Sequence, residues 1–283
     1  MRLSLIVTTY ERPDALRAVL GSIERQSGAA RALPDELIVA DDGSGPATRA
    51  VIAEFAARAN YPVVHARQEH EGFRVCRARN LAIARASGDY IVTVDGDMLL
   101  HPAFVADHRA AARRGCYVQG TRILADERLT ARLLREPTVP LTPFTAGLGG
   151  LRRLYATHLP RASGAFARIA NAFIAVKSCN QGVWREDFER VNGYNEEMTG
   201  WGSEDKELAA RLEHGGVRRR TLLFAGIACH LHHAPASRER HPINEAILRE
   251  TRASRRVWAE HGLDAHRAPA QDTLAPATAR RLR

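Results

Sequence analysis

Four short stretches of this 283-residue chain carry side chains able to do chemistry. In Asp95-Gly96-Asp97 two carboxylates flank a glycine at the end of the apolar run Tyr90 to Val94. On an extended chain they project to the same side with only a hydrogen between them, and they repel unless a cation is close. The stretch reads either as oxygen ligands for a divalent metal or as a polar turn into a helix that starts near Ala103. In Gly200-Trp201-Gly202-Ser203-Glu204-Asp205 two adjacent acids open a helix. Capping would account for Ser203 and one acid, whereas Trp201 between two glycines suits a loop whose backbone passes close to a ligand. His230, His232 and His233 follow the apolar LLFAGIAC. Neutral imidazoles completed by a carboxylate suit Mn2+ or a similar ion, and the alternative is a hydrogen-bonded structural cluster. In GFRVCRARN, Gly72 to Asn80, Arg74, Arg77 and Arg79 open a helix. Its free amides and dipole, with bidentate guanidinium contacts, suit a phosphate; otherwise the arginines form a solvated basic face.

The elements that must position these groups follow from apolar periodicity. LSLIVTT, ELIVADD, VVHA and YIVTV read as strands, separated by helices near Asp14 to Gln26, Ala47 to Ala59 and Cys76 to Ala86. That alternation predicts an α/β fold with a mostly parallel central sheet flanked by helices, whose ligand site lies at the C-terminal strand ends. Three polar ends, Thr8-Thr9-Tyr10, Asp41-Asp42-Gly43-Ser44 and Asp95-Gly96-Asp97, then share one edge. Residues 137–170, rich in Pro, Gly and Arg, read as a flexible segment, with LGGLRRLYATHL a flap or basic amphipathic stretch rather than a packed element. Helices near Glu186 to Val191 and Lys206 to His214 follow, then the strand-like LLFAGIACH. The chain is helical in pattern from about Ile243 to Glu260 and frayed after it.

A formal charge of +9, mostly from arginine, suits an anionic partner: nucleic acid, lipid headgroups or a phosphate-rich small substrate. The aromatic-basic pattern of an RNA-binding module is absent, so nucleic acid is not expected. No apolar run reaches the ~18 residues of a membrane span, and Leu3 to Val7 is too short for a secretion signal. The expectation is a cytoplasmic protein, with peripheral contact at the inner face of an anionic membrane compatible with the charge. Four cysteines without a CxxC pair read as reduced and structural.

In this order the stretches resemble inverting, nucleotide-sugar-dependent glycosyltransferases of family 2 with the GT-A fold. The matching pieces are LSLIVTTYERPDAL, ADDGS, ARNLAIARASGDYIV, DGD and NGYNEEMTGWGSEDKELAARL. The last, with HLHH, resembles the C-terminal half shared by galactosyltransferases and bacterial chondroitin-type polymerases. The resemblance implies a GT-A domain over 1–238, with a nucleotide-binding half at about 1–120, an acceptor-binding half at about 171–238, and a basic helical C-terminal extension over 239–283. It implies that Thr8, Tyr10 and Asp42 line the nucleoside pocket, that Arg74 meets the base or phosphates, and that Asp95 faces the ribose or metal. Asp97, His230 and His233 would hold Mn2+ or Mg2+; His230 stands where the related pattern has Met. Trp201, Glu204 and Asp205 would form the acceptor side, with Asp205 as general base. The implied reaction moves a sugar from a UDP-linked donor to a hydroxyl of a saccharide or lipid-linked acceptor, in bacterial surface polysaccharide or lipopolysaccharide synthesis. Two rivals are a sugar-1-phosphate nucleotidyltransferase, whose Gly-rich loop after the first strand is here TTYERPDAL, and an inactive nucleotide-sugar-binding protein.

Overall fold

The computed structural model describes residues 1–27, 32–267 and 273–274. Strand β1 (Leu3–Thr9) is buried at every position, as befits a central strand covered on both faces. Its side chains alternate. Leu3, Leu5 and Val7 share a core with Leu16 and Leu20 of helix α1 (Pro13–Glu24) and Phe55 of α2 (Pro46–Ala56), whereas Ile6 joins Ala82 and Ile83 of α3 (Val75–Arg85). Strands β2 (Glu36–Asp41), β3 (Val63–Arg67) and β4 (Tyr90–Asp95) extend β1 in parallel, in the order β3-β2-β1-β4. The register sets Thr9 beside Asp41 and Thr8 beside Asp95, so the polar strand ends do share one edge.

Past β4 the sheet becomes mixed. Strand β8 (Asn180–Trp184) runs antiparallel between β4 and β6 (Cys116–Gly120), and β9 (Arg218–Leu222) lies parallel to β6. At the other end β11 (Thr273–Leu274) pairs antiparallel with β3. A second sheet joins β5 (Met98–Leu100), β10 (Ala228–His230) and β7 (Arg122–Leu124) in the order β5-β10-β7. It pairs His230 with Met98, one residue beyond Asp97.

Three expectations are corrected. LLFAGIACH is not one strand: the chain leaves β9 after Leu222, turns through positive φ at Phe224 and Gly226, and enters the smaller sheet at Ala228. The side-chain amide of Asn180 and the carboxylate of Asp107 hold that turn at Gly226. Within 137–170 the chain forms a 3-10 turn over Leu151–Ala156 and most of helix α6 (Pro160–Phe173), which packs along β9. Small Ala156 and Ala170 are buried, which lets a segment of Arg and exposed apolar residues seat on the body. The extension from residue 239 is also docked through Arg267. Helix α9 (His241–Ser254) packs on α8 (Glu204–His214), and Leu248, Ala259 and Leu263 are buried. The frayed end expected beyond Glu260 lies partly outside the described residues. Among those described, no helix is long and apolar enough to cross a membrane.

Candidate functional site

A cavity of about 560 Å3 opens where β1, β2 and β4 end. Of the eleven residues to which the resemblance gives a role, ten line it and Arg74 does not. Gly96 is required between the two acids, because a Cβ there would lie 2.3 Å from the Thr8 carbonyl at the end of β1. Asp95 therefore stays against the sheet, where it accepts from Thr8 Oγ1 at 3.2 Å and from the Arg79 guanidinium at 3.0 Å.

Asp97, carried by the turn after β4, meets the end of β10. Its Oδ2 lies 3.7 Å from His230 Nε2, 3.1 Å from His233 Nε2 and 3.4 Å from the Arg12 guanidinium, while its buried Oδ1 has no partner. Ligand atoms of Asp97, His230 and His233 all lie within 4.8 Å of one another. The donor set is one carboxylate and two imidazoles, a set that suits a borderline divalent cation, and the orphaned Oδ1 supplies a free acceptor. Burial opposes ionisation of Asp97, but the His233 hydrogen bond and the charges of His230, His233 and Arg12 hold it below the usual carboxylate range. Burial pushes His230 down, toward the neutral imidazole that ligation needs. His232, between the two, is exposed, and its backbone amide donates to Thr130 Oγ1.

At one end of the cavity Asp42 accepts from Gln68 and from the Arg74 amide, and burial raises its pKa. Tyr10 stacks on His70 at 4.5 Å, leaving an exposed aromatic platform. The Arg74 side chain turns away to Glu71 and the Glu69 carbonyl. Arg79 faces inward instead: it is almost fully buried and joins Asp95 to Glu204. Sequence reasoning saw Arg79 but gave the role to Arg74. The available signal was helix phase, since Arg79 shares the buried face of α3 with Cys76 and Ile83.

At the other end α8 presents Glu204 and Asp205. Ser203 does not cap this helix: at φ 67° it makes no capping bond, and its hydroxyl donates to Glu245 of α9. The glycines beside Trp201 serve the chain itself rather than a ligand. Both have positive φ, and a Cβ would strike Arg240 at Gly200 and His241 at Gly202. Gly200 also donates to the Phe73 carbonyl, which ties this loop to the start of α3 and brings Phe73 into the cavity wall. Asp205 Oδ1 accepts from the Lys206 amide. Burial, then the adjacent Glu204 charge, pushes the Asp205 carboxyl up to about 6, against the Lys206 amide, Lys177 and Arg79.

Comparison with known proteins agrees with this geometry. Residues 4–170 match the family model described as Glycosyl transferase family 2, and residues 168–234 match one described as the N-terminal domain of galactosyltransferase. The chain is 31% identical over 224 residues to a validoxylamine A glucosyltransferase of Streptomyces hygroscopicus subsp. jinggangensis, covering 76% of this chain and 52% of that protein. It is 26% identical over 236 residues to a chondroitin synthase of Escherichia coli, covering 78% and 33%. It therefore spans about half or less of these relatives. In fold it is similar to residues 1–349 of S. aureus TarS solved with UDP, with a TM-score of 0.61 at 17% identity over 94% of this chain and 68% of that one.

Proposed function

This chain belongs to glycosyltransferase family 2, and from that membership we propose that it is a metal-dependent inverting transferase, moving a sugar from a UDP-linked donor to a hydroxyl of a saccharide or lipid-linked saccharide. The observation that carries the reading is the convergence of Asp97, His230 and His233 in the cavity that also holds Asp205. Asp97, His230 and His233 would hold the divalent cation, Mn2+ or Mg2+. When bound, it supplies positive charge against the negative charge that develops on the leaving nucleoside diphosphate.

The chain's own residues do the rest. Thr8, Tyr10 and Asp42 receive the nucleoside, with Tyr10 as a stacking surface and Asp42 as an acceptor fixed by Gln68. Arg79 holds Asp95 and Glu204 in one rigid frame, so that donor and acceptor ends keep their spacing. Asp205 removes the proton from the acceptor hydroxyl as that oxygen attacks the anomeric carbon from the face opposite the diphosphate. A single displacement inverts the configuration. Its pKa near 6 leaves it ionised at neutral pH yet basic enough to take a proton.

The UDP of the TarS structure and the glucosyl and chondroitin chemistry in the relatives' names support the donor and acceptor classes. Synthesis of a bacterial surface glycan is the setting we infer, with the exposed apolar residues Leu151, Leu154 and Ile169 as the surface for contact with an anionic membrane face. The test is incubation with a panel of nucleotide sugars and Mn2+. Release of UDP is expected; pyrophosphate-dependent formation of a nucleoside triphosphate would instead identify a nucleotidyltransferase.

A further inference from the structure

Three of the six Arg and Lys residues lining the cavity are matched by carboxylates, Lys206 by Glu245 among them, and exposed Arg238 lies over the Trp201 ring. Arg79 has Asp95 and Glu204, and Arg12 has Asp97. Arg122 and Lys177 are different: both line the cavity, both are partly buried, and among the described residues neither has a carboxylate within ion-pair distance. The Arg122 guanidinium reaches only Cys179 Sγ at 3.8 Å, and its buried Nε has no partner. No acidic residue occurs anywhere from Pro137 to Arg185, so the sequence around Lys177 offers no local counter-charge.

Lys177 is held in place. Its backbone amide donates to Gln119 Oε1 and its carbonyl accepts from Gln119 Nε2, both at 2.9 Å, and Gln119 is fully buried. A backbone so anchored, in an otherwise irregular segment, fixes the point from which the lysine side chain enters the cavity wall. Two like charges half-buried together raise the free energy of the empty site, which an anion would relieve. Lys177 is pushed below the usual lysine range by burial, then by Arg122, and the charge of Asp205 acts back on it. Ser178, the next residue, donates to Glu204 Oε1 at 3.5 Å, so this segment runs beside the start of α8, which carries Asp205.

We propose that Lys177, backed by Arg122, forms a subsite for an anionic substituent, a carboxylate or a phosphate, on the acceptor sugar next to the hydroxyl that attacks. This rests on the transferase reading above and narrows its acceptor to acidic or phosphorylated saccharides. Arg122 lies on β7, the strand paired with the β10 strand that carries His230, so it links this subsite to the donor end.

The experiment is a ligand-detected NMR titration of the full chain saturated with UDP and Mn2+, using methyl glucuronide, glucose 6-phosphate and neutral methyl glucoside as probes. One of the charged probes should bind at least about tenfold tighter than the neutral one, the worth of a single charge-assisted hydrogen bond. Whether the carboxylate or the phosphate gains identifies the substituent. Lys177→Gln should abolish the difference, Lys177→Arg should restore it, and UDP affinity should change less than twofold in both. Equal binding of all three probes, or no binding of any, overturns the subsite. So does a Lys177→Gln protein that loses UDP affinity as much as probe affinity, because the lysine would then serve the donor. Failure of wild-type protein to bind UDP with Mn2+ would instead count against the transferase reading itself.

Discussion

A carboxyl that must take a proton near neutral pH works best when its own pKa is close, and burial beside Glu204 moves Asp205 there, to about 6. Asp205→Asn keeps the shape but cannot accept a proton, so transfer should fall on the order of 10²–10⁴-fold while UDP binding with Mn2+ persists. Wild-type transfer should rise with pH through about 6. The same shift has a stability sign. Because the folded state raises the Asp205 pKa above the ordinary aspartate value of about 3.9, it binds the proton more tightly than the unfolded chain does, and stability is lost as pH rises from about 4 through 6. Asp205→Asn should therefore gain Tm over wild type at pH 7.5 and lose that advantage toward pH 4.5; an equal gap at both pH values would show the carboxyl to be unperturbed. At the metal end, Asp97→Ala, His230→Ala and His233→Ala should each weaken Mn2+-dependent UDP binding by at least the roughly 10–100-fold that outer-shell changes cost, with His232→Ala as the unaffected comparison. The convergence of these three side chains was legible because each follows an apolar run that reads as a strand, so each was expected at a sheet edge. Arg79 was less legible, since Arg74, Arg77 and Arg79 differ only in which way α3 is turned, and that is set by Ile83 and Cys76 finding the core.

Among the elements, the 3-10 turn Leu151–Ala156 and α6 were the hardest to read. Their apolar residues do not repeat on one inward face: Leu151, Leu154, Phe166 and Ile169 are exposed, and small alanines make the seat. An isolated helix pattern signals itself by burying its large side chains, and here the large side chains point out. Exposed Leu151 and Leu154 on either side of Arg152 and Arg153 give the composition of an interfacial helix, in which apolar groups insert and guanidinium groups meet anionic headgroups. Sedimentation with vesicles of phosphatidylglycerol and phosphatidylcholine should carry the wild-type chain down, pure phosphatidylcholine should not, and Leu151→Glu with Leu154→Glu should remain in solution while still binding UDP with Mn2+. Hydrogen exchange gives the competing outcome. If 151–173 gains protection with UDP, Mn2+ and acceptor but not with vesicles, the element is a lid over the site and not a membrane contact. The helix α8 was legible at once from KELAARL, but the capping alternative for Ser203 could not be decided, because a serine before two acids has the same sequence whether its hydroxyl turns to the helix amides or to Glu245.

At the scale of the molecule, the parallel half was written in continuous apolar strands, whereas β8 was hidden because it buries Asn180 and Gln181. Asn180 is satisfied by Thr121, Gly226 and His108, and Gln181 Nε2 donates to Gln119 while its Oε1 stays unpartnered; these partners come only with the assembled sheet. A second buried polar network ties α8 to the C-terminal extension. Arg211, fully buried on α8, donates to both oxygens of Glu207 one turn earlier and to the Val191 carbonyl, and Thr251 of α9 donates to the same Glu207. Removing the arginine alone leaves a carboxylate in the core with only a hydroxyl, and such a break costs about 3–5 kcal/mol. Arg211→Met should therefore lower Tm by roughly 5–10 °C and displace Glu204 and Asp205, since they begin the same helix. Adding Glu207→Leu removes the stranded charge, and most of the lost stability should return, as apolar replacement of buried pairs allows. Thermal unfolding of the two single variants and the double variant, together with transfer rates, decides it. Additive losses in the double variant would mean that the pair is not coupled, and that α9 is held to α8 by Leu248 and its apolar neighbours alone.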